Sequence, residues 1–70
     1  MHFAKVETSE RLQKVFTLLK DYKPRTTREI IREADVCAVN SIIAEIRMNG
    51  YQIRCTPISR GVFEYQLLPF

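Results

Sequence analysis

The fold of this chain is decided by residues 39–55, which read VNSIIAEIRMNGYQIRC. The apolar residues of the first part recur at the spacing of one helical face, which predicts an amphipathic helix. They are Val39, Ile42, Ile43 and Ile46. Gly50 stands where a glycine in the left-handed conformation commonly ends a helix. Beyond Gly50 apolar and polar residues alternate, so we expect the chain to change there from helix to strand.

Upstream of this stretch the spacing predicts a first helix. It begins after Thr8 or Ser9, which are good capping residues. It ends near Tyr22, because Pro24 disfavours helical geometry at the residue before it. Its predicted core face consists of Leu12, Val15, Phe16 and Leu19.

A second, shorter helix is predicted to begin at Thr26. Thr26 and Glu29 have the spacing of a capping box, in which each side chain bonds to the other residue's backbone N–H. The helix ends at Ala34 or Asp35, and its predicted apolar face is Ile30, Ile31 and Ala34. About three residues, 35–37, separate it from the third helix, and so short a turn makes the two helices cross steeply.

Downstream of Gly50 the pattern predicts a β-hairpin. Residues 51–56 and 63–67 alternate in polarity, and residues 57–61 between them carry turn formers. The two cysteines, Cys37 and Cys55, are expected to be buried or half-buried filler residues. The order of elements predicts an α+β fold, namely a three-helix winged helix-turn-helix with a C-terminal β-hairpin wing. We expect one domain over residues 1–70, with its core at about 8–68.

Composition narrows the functional classes. Seventy residues suffice for one small domain, and a hydrophobic fraction of 46% is too high for a disordered chain. The only histidine is His2, and the two cysteines form no CxxC pair, so we expect neither a metal site nor a catalytic histidine relay. No apolar run reaches the roughly 20 residues of a membrane helix. We therefore expect a cytoplasmic protein that is not an enzyme and carries no cofactor.

The quoted stretch resembles the recognition helix and first wing strand of small bacterial and phage winged-helix regulators. It is similar to the amino-terminal DNA-binding domain of biotin repressors, in which an IxxLR helix leads to a glycine, an aromatic or apolar residue and a strand. Here IAEIR is followed by Asn49, Gly50 and Tyr51, and the wing pattern is RGVFEYQL at residues 60–67. The resemblance implies that helix three, at about 38–49, enters the major groove. It also implies that the wing, at about 57–62, lies on the backbone or the minor groove.

Several polar residues suit these roles. The amide of Asn40 suits pairing with adenine, the guanidinium of Arg47 suits guanine or a phosphate, and the start of the second helix suits a phosphate. The alternative for Asn40 and Ser41 is that both are solvated residues of the helix. The predicted DNA-binding residues are Thr26, Thr27, Arg28, Asn40, Ser41, Arg47, Arg54 and Arg60. Residues 20–32 and 47–60 each carry a net charge of +3, whereas residues 33–46 carry −3. The flanks are therefore basic and most of the expected reading helix is not.

Three alternatives stay open. The neutral outer face of the third helix also suits a protein, so an alternative is a phage-type winged helix acting as an adaptor or inhibitor of a host protein. A third, narrower reading is an architectural protein that bends double-stranded DNA. The last option is a homodimer through residues 1–7 and the apolar residues 67–70; the alternative for residues 67–70 is that they cover the core of their own domain.

Overall fold

The computed structural model describes residues 5 and 8–69. Along this part of the chain the elements are α1 (Glu10–Leu19), β1 (Arg25–Thr26), α2 (Thr27–Ala34), α3 (Val39–Met48), β2 (Ile53–Ser59) and β3 (Val62–Leu67). They form an α+β fold of three helices and a three-stranded antiparallel sheet, so the predicted class is confirmed. His2 and most of the N-terminal segment named for a dimer lie outside the described residues, as does Phe70.

The helix starts follow the predicted caps. The Ser9 hydroxyl accepts a hydrogen bond from the Leu12 backbone N–H at the start of α1. At α2 both bonds of the capping box with Thr26 are present. The predicted end of α1 was about three residues too far along. Tyr22 is left-handed at φ 62°, and the Asp21 carboxylate accepts from the Lys23 N–H at 2.9 Å, a local turn that takes the chain out of the helix.

The turn between α2 and α3 contains two left-handed residues, Asp35 at φ 53° and Ala38 at φ 54°. It runs from residue 35 to residue 38, one residue longer than predicted. The left-handed conformation costs a residue with a Cβ roughly 1–2 kcal/mol, so Ala38 is strained. Gly50, just past α3, has φ +99° and provides the predicted helix stop.

The sheet has the strand order β1-β3-β2. The two-residue strand β1 was not predicted from the sequence; it pairs with β3 through Arg25↔Tyr65 and Thr26↔Glu64. The predicted hairpin turn was too long, because β2 continues through Pro57 to Ser59. A proline is tolerated there because β2 is an edge strand. The register shifts between Pro57 and Ser59.

The core lies between the helices and one face of the sheet. Its buried residues are Leu12, Val15, Leu19, Ile30, Ala34, Val39, Ile42, Ile43, Ile46, Ile53, Tyr65 and Leu67. The predicted stripe of α3 is confirmed in full. Three predicted positions were wrong. Ile31 is 45% exposed, because it lies about 100° around α2 from the buried Ile30, and Cys37 and Cys55 are both exposed. Among the described residues no helix has the length and apolarity to cross a bilayer.

Candidate nucleic-acid interface

A groove of about 610 Å³ separates the start of α2 from the hairpin turn. It exists because β1 leads directly into α2 while Thr26 pairs with Glu64 of β3, which brings the first turn of the helix beside the far end of the hairpin. Its lining residues are Thr26, Thr27, Arg28, Ile31, Gly61, Val62 and Phe63. Two segments predicted to contact DNA backbone are therefore neighbours in space.

The start of α2 is already occupied by a carboxylate of the chain itself. Glu29 Oε1 accepts from the Thr26 backbone N–H at 2.8 Å, and the Thr26 hydroxyl accepts from the Glu29 N–H at 3.1 Å. The pKa of the Glu29 carboxyl lies below its usual range. The main cause is the hydrogen bond that the Thr26 backbone N–H donates to the carboxylate, and the second is the interaction of the carboxylate with the Thr26 side chain. A phosphate at Thr26 would meet this negative charge. The phosphate contact expected of Thr26 therefore competes with the capping box and stays a prediction, and the half-buried Thr27 and the exposed Arg28 line the groove beside it.

The outer face of α3 is small and neutral. Ser41, Ala44 and Met48 are exposed along it. Glu45 at its margin is paired with Arg11 of α1, with 2.6 Å between Nη2 and Oε1. The first residue before the helix, Ala38, offers no side-chain cap, so the leading backbone N–H groups of α3 have no side-chain acceptor there.

Asn40 is held by the sheet. The buried Tyr65 hydroxyl donates to Asn40 Oδ1 at 2.7 Å. Burial is the main cause that raises the pKa of Tyr65, so the hydroxyl keeps its proton for this bond. Bidentate pairing with adenine uses both the oxygen and the nitrogen of the amide. Reading a base with Asn40 therefore requires that this bond be broken or shared, and its predicted role stays a prediction.

Arg47 is likewise used inside the fold. Its Nε and Nη2 atoms donate to the Ile53 carbonyl oxygen at 3.2 Å and 2.6 Å. These bonds tie the last turn of α3 to the first residue of β2 across the Gly50 turn. The predicted contact of Arg47 with guanine or phosphate therefore competes with a structural role that the sequence pattern did not reveal.

The two arginines of the hairpin lie in different places. Arg60 is exposed in the turn beside Gly61, which lines the groove. Arg54 precedes Cys55 and follows the buried Ile53, and neighbouring side chains of a strand point to opposite faces. Arg54 is therefore on the sheet face turned away from the helices, and the structure does not bring it to the groove.

The predicted site residues thus divide into groups. Thr26, Thr27 and Arg28 line the groove, and Arg60 lies in the adjoining turn. Ser41 is exposed on α3, Asn40 and Arg47 bond to the sheet, and Arg54 lies apart from the groove. The apolar lining formed by Ile31, Val62 and Phe63 was not predicted from the sequence. The pattern RGVFEYQL contained two of these residues, but their exposure depends on how far the hairpin extends beyond the core.

Comparison with protein-family models, with curated proteins and with solved structures gives no match for this chain. Within the part of the chain that the structure describes, no group of three or more His, Cys, Asp or Glu side chains is placed to hold a metal ion.

Proposed function

We propose that this chain is a winged helix-turn-helix domain that binds double-stranded DNA, with α3 against the major groove and the hairpin against the backbone or minor groove. The observation that carries the proposal is the groove between α2 and the hairpin. It places Arg28 beside the turn that holds Arg60, although the two residues are far apart in sequence. A pair of exposed cations on separate elements is what contact with successive phosphates requires.

The charge around the groove supports an anionic partner. Among the described residues its lining includes Arg28 and no acidic side chain. The turn adds Arg60, and residues 57–63 contain no acid. The acidic side chains Glu33 and Asp35 lie at the other end of α2, roughly 12 Å along the helix axis. The exposed Arg28 and Arg60 therefore lie where the hairpin meets the helix, and Glu29 and Glu64 beside Thr26 offset part of their charge.

The neutral face of α3 bears on the kind of binding. Ser41 is an exposed polar residue of this face, whereas the side chains of Asn40 and Arg47 are hydrogen-bonded to the sheet. Such a surface supplies few base-specific contacts. We therefore expect phosphate contacts and DNA shape to dominate. A single module buries roughly 600–1,000 Å², so high specificity would need a second copy or an adjacent site.

The test is fluorescence anisotropy with duplex DNA at several salt concentrations. Arg28→Ala and Arg60→Ala are each expected to weaken binding to all sequences and to flatten the slope of log K against log salt by about one unit. Lys14→Ala is the matched control, since Lys14 is an exposed cation of α1 beside the acidic end of α2. Equal effects of all three variants, or none, would refute the proposed face.

A second candidate function is protein binding, and the apolar lining of the groove favours it. Ile31, Val62 and Phe63 are 45%, 37% and 44% exposed. Exposed apolar side chains that line one groove commonly mark an interaction site. Under this function Ile31→Glu abolishes capture of the partner from a lysate, whereas Arg28→Ala leaves it intact. If the domain binds DNA instead, Ile31→Glu should not change which proteins it captures.

A further inference from the structure

The end of the hairpin carries apolar side chains that do not join the core. We call Ile58, Val62 and Phe63 the apolar tip; each is between 37% and 49% exposed. All three lie within the last two rungs of the β2–β3 ladder, next to the turn at Arg60 and Gly61. Exposed apolar side chains grouped at one place on the surface commonly mark an interaction site.

Ile58 differs from the other two residues of the tip. Phe63 faces Pro57 and Val62 faces Ser59 in the strand register, and both line the groove against α2. Ile58 falls at the register shift and has no residue paired with it there. It is also the most exposed of the three, at 49%. Its side chain is thus the one least committed to the protein's own packing.

The charge of the tip indicates which partner it fits. Arg60 is the only charged residue in residues 57–63. An arginine is attracted to the strong negative potential of a narrow minor groove. Apolar side chains beside such a cation are what minor-groove proteins insert between base pairs to kink the duplex.

We propose that the apolar tip enters the minor groove and that Ile58 wedges into a base step, so that the domain bends the DNA it binds. This inference rests on the proposed function, since it names what the hairpin does once the domain is on DNA. Flexible pyrimidine–purine steps such as TA are the easiest to unstack, so we expect the wedge to act at such a step.

The test is energy transfer between dyes at the two ends of a 24-base-pair duplex with a central TA step, measured on the complex. A straight duplex of this length spans about 80 Å, and a central kink of about 60° brings the ends to about 70 Å. Ile58→Thr keeps a β-branched side chain on an edge strand but removes the apolar end. We expect it to lose at least half of the bend, while Ile58→Leu retains it.

Two measurements keep the outcomes apart. Anisotropy on the same samples reports binding, and circular dichroism reports folding of each variant. Tyr22→Asn is the control, because Tyr22 is an exposed aromatic residue outside the tip whose positive φ suits asparagine. If the bound DNA stays straight, or if the Ile58→Thr variant bends it as far as the parent chain does, the proposed wedge is wrong. DNA binding itself is then unaffected. Absence of binding overturns both.

Discussion

Replacing Tyr65 by phenylalanine isolates the contact that joins the sheet to α3. The ring of Tyr65 is 5% exposed, and its hydroxyl donates to Asn40 Oδ1 at 2.7 Å. Phenylalanine keeps the buried ring and removes that bond, together with the interactions of the hydroxyl with the side chains of Cys55 and Thr27. Asn40 is exposed, so water replaces the lost donor on its amide oxygen. The loss is then the net value of one neutral hydrogen bond, about 1 kcal/mol in the free energy of unfolding.

Thermal denaturation followed by circular dichroism measures this change. For a domain of this size, about 1 kcal/mol lowers Tm by roughly 4–8 °C. Tyr22→Phe, at an exposed tyrosine, is the matched control and should leave Tm nearly unchanged. A Tm equal to that of the parent chain would show that the bond to Asn40 contributes nothing. A drop of more than about 15 °C would show that Tyr65 does more than donate one bond.

The same variant makes a prediction about alkaline pH. Burial raises the pKa of Tyr65 above the ordinary tyrosine value of about 10. Above pH 10 the unfolded chain therefore loses this proton before the folded chain does, so stability falls as pH rises towards the folded pKa. Tyr65→Phe should remove this contribution to the pH dependence of stability.

Tyr65→Phe also frees the Asn40 amide, so the affinity for DNA should stay the same or increase. A large loss of affinity would mean that Tyr65 itself contacts the DNA.

Two further changes test local features of the fold. Ala38→Gly should stabilise the domain by about 0.5–1 kcal/mol. Glycine removes the strain of a left-handed residue at φ 54°, and the greater backbone entropy of glycine in the unfolded chain offsets part of this effect. A lower Tm would contradict the left-handed turn. Glu29→Gln should reduce the loss of stability in acid. The lowered pKa of Glu29 contributes stability that is present above about pH 4.5 and is lost as the pH falls through the folded pKa. Acid unfolding that this variant leaves unchanged would contradict the capping box.

The fold was predictable where local rules and tertiary packing agree. The capping box at Thr26, the apolar stripe of α3 and the glycine stop at Gly50 were all predicted from spacing and are all present. The strand β1 was not predictable in this way, because two residues carry no alternation. Its formation depends on how the loop after α1 meets Tyr65 and Glu64 of β3.

The candidate site was predictable by residue type but not by partner. Asn40 and Arg47 have side chains that suit contact with bases, yet both are hydrogen-bonded to residues of the sheet. These partners are distant enough in the fold or the sequence that only the folded chain reveals them. Ile31 belongs to an apolar face by spacing and is nevertheless exposed, because α2 turns its neighbour Ile30 to the core. Periodicity gives the width of an apolar face, whereas its direction depends on the neighbouring elements.

The most direct test of the account is a titration of the isotope-labelled chain with duplex DNA, followed by amide chemical shifts in NMR spectra. We predict that the largest changes occur at the start of α2 near Arg28, on the outer face of α3 near Ser41, and in the hairpin turn at residues 58–63. Changes concentrated instead around Tyr51 and Leu68, at the far end of the sheet, would contradict the proposed interface. A spectrum that DNA leaves unchanged would contradict the proposed function.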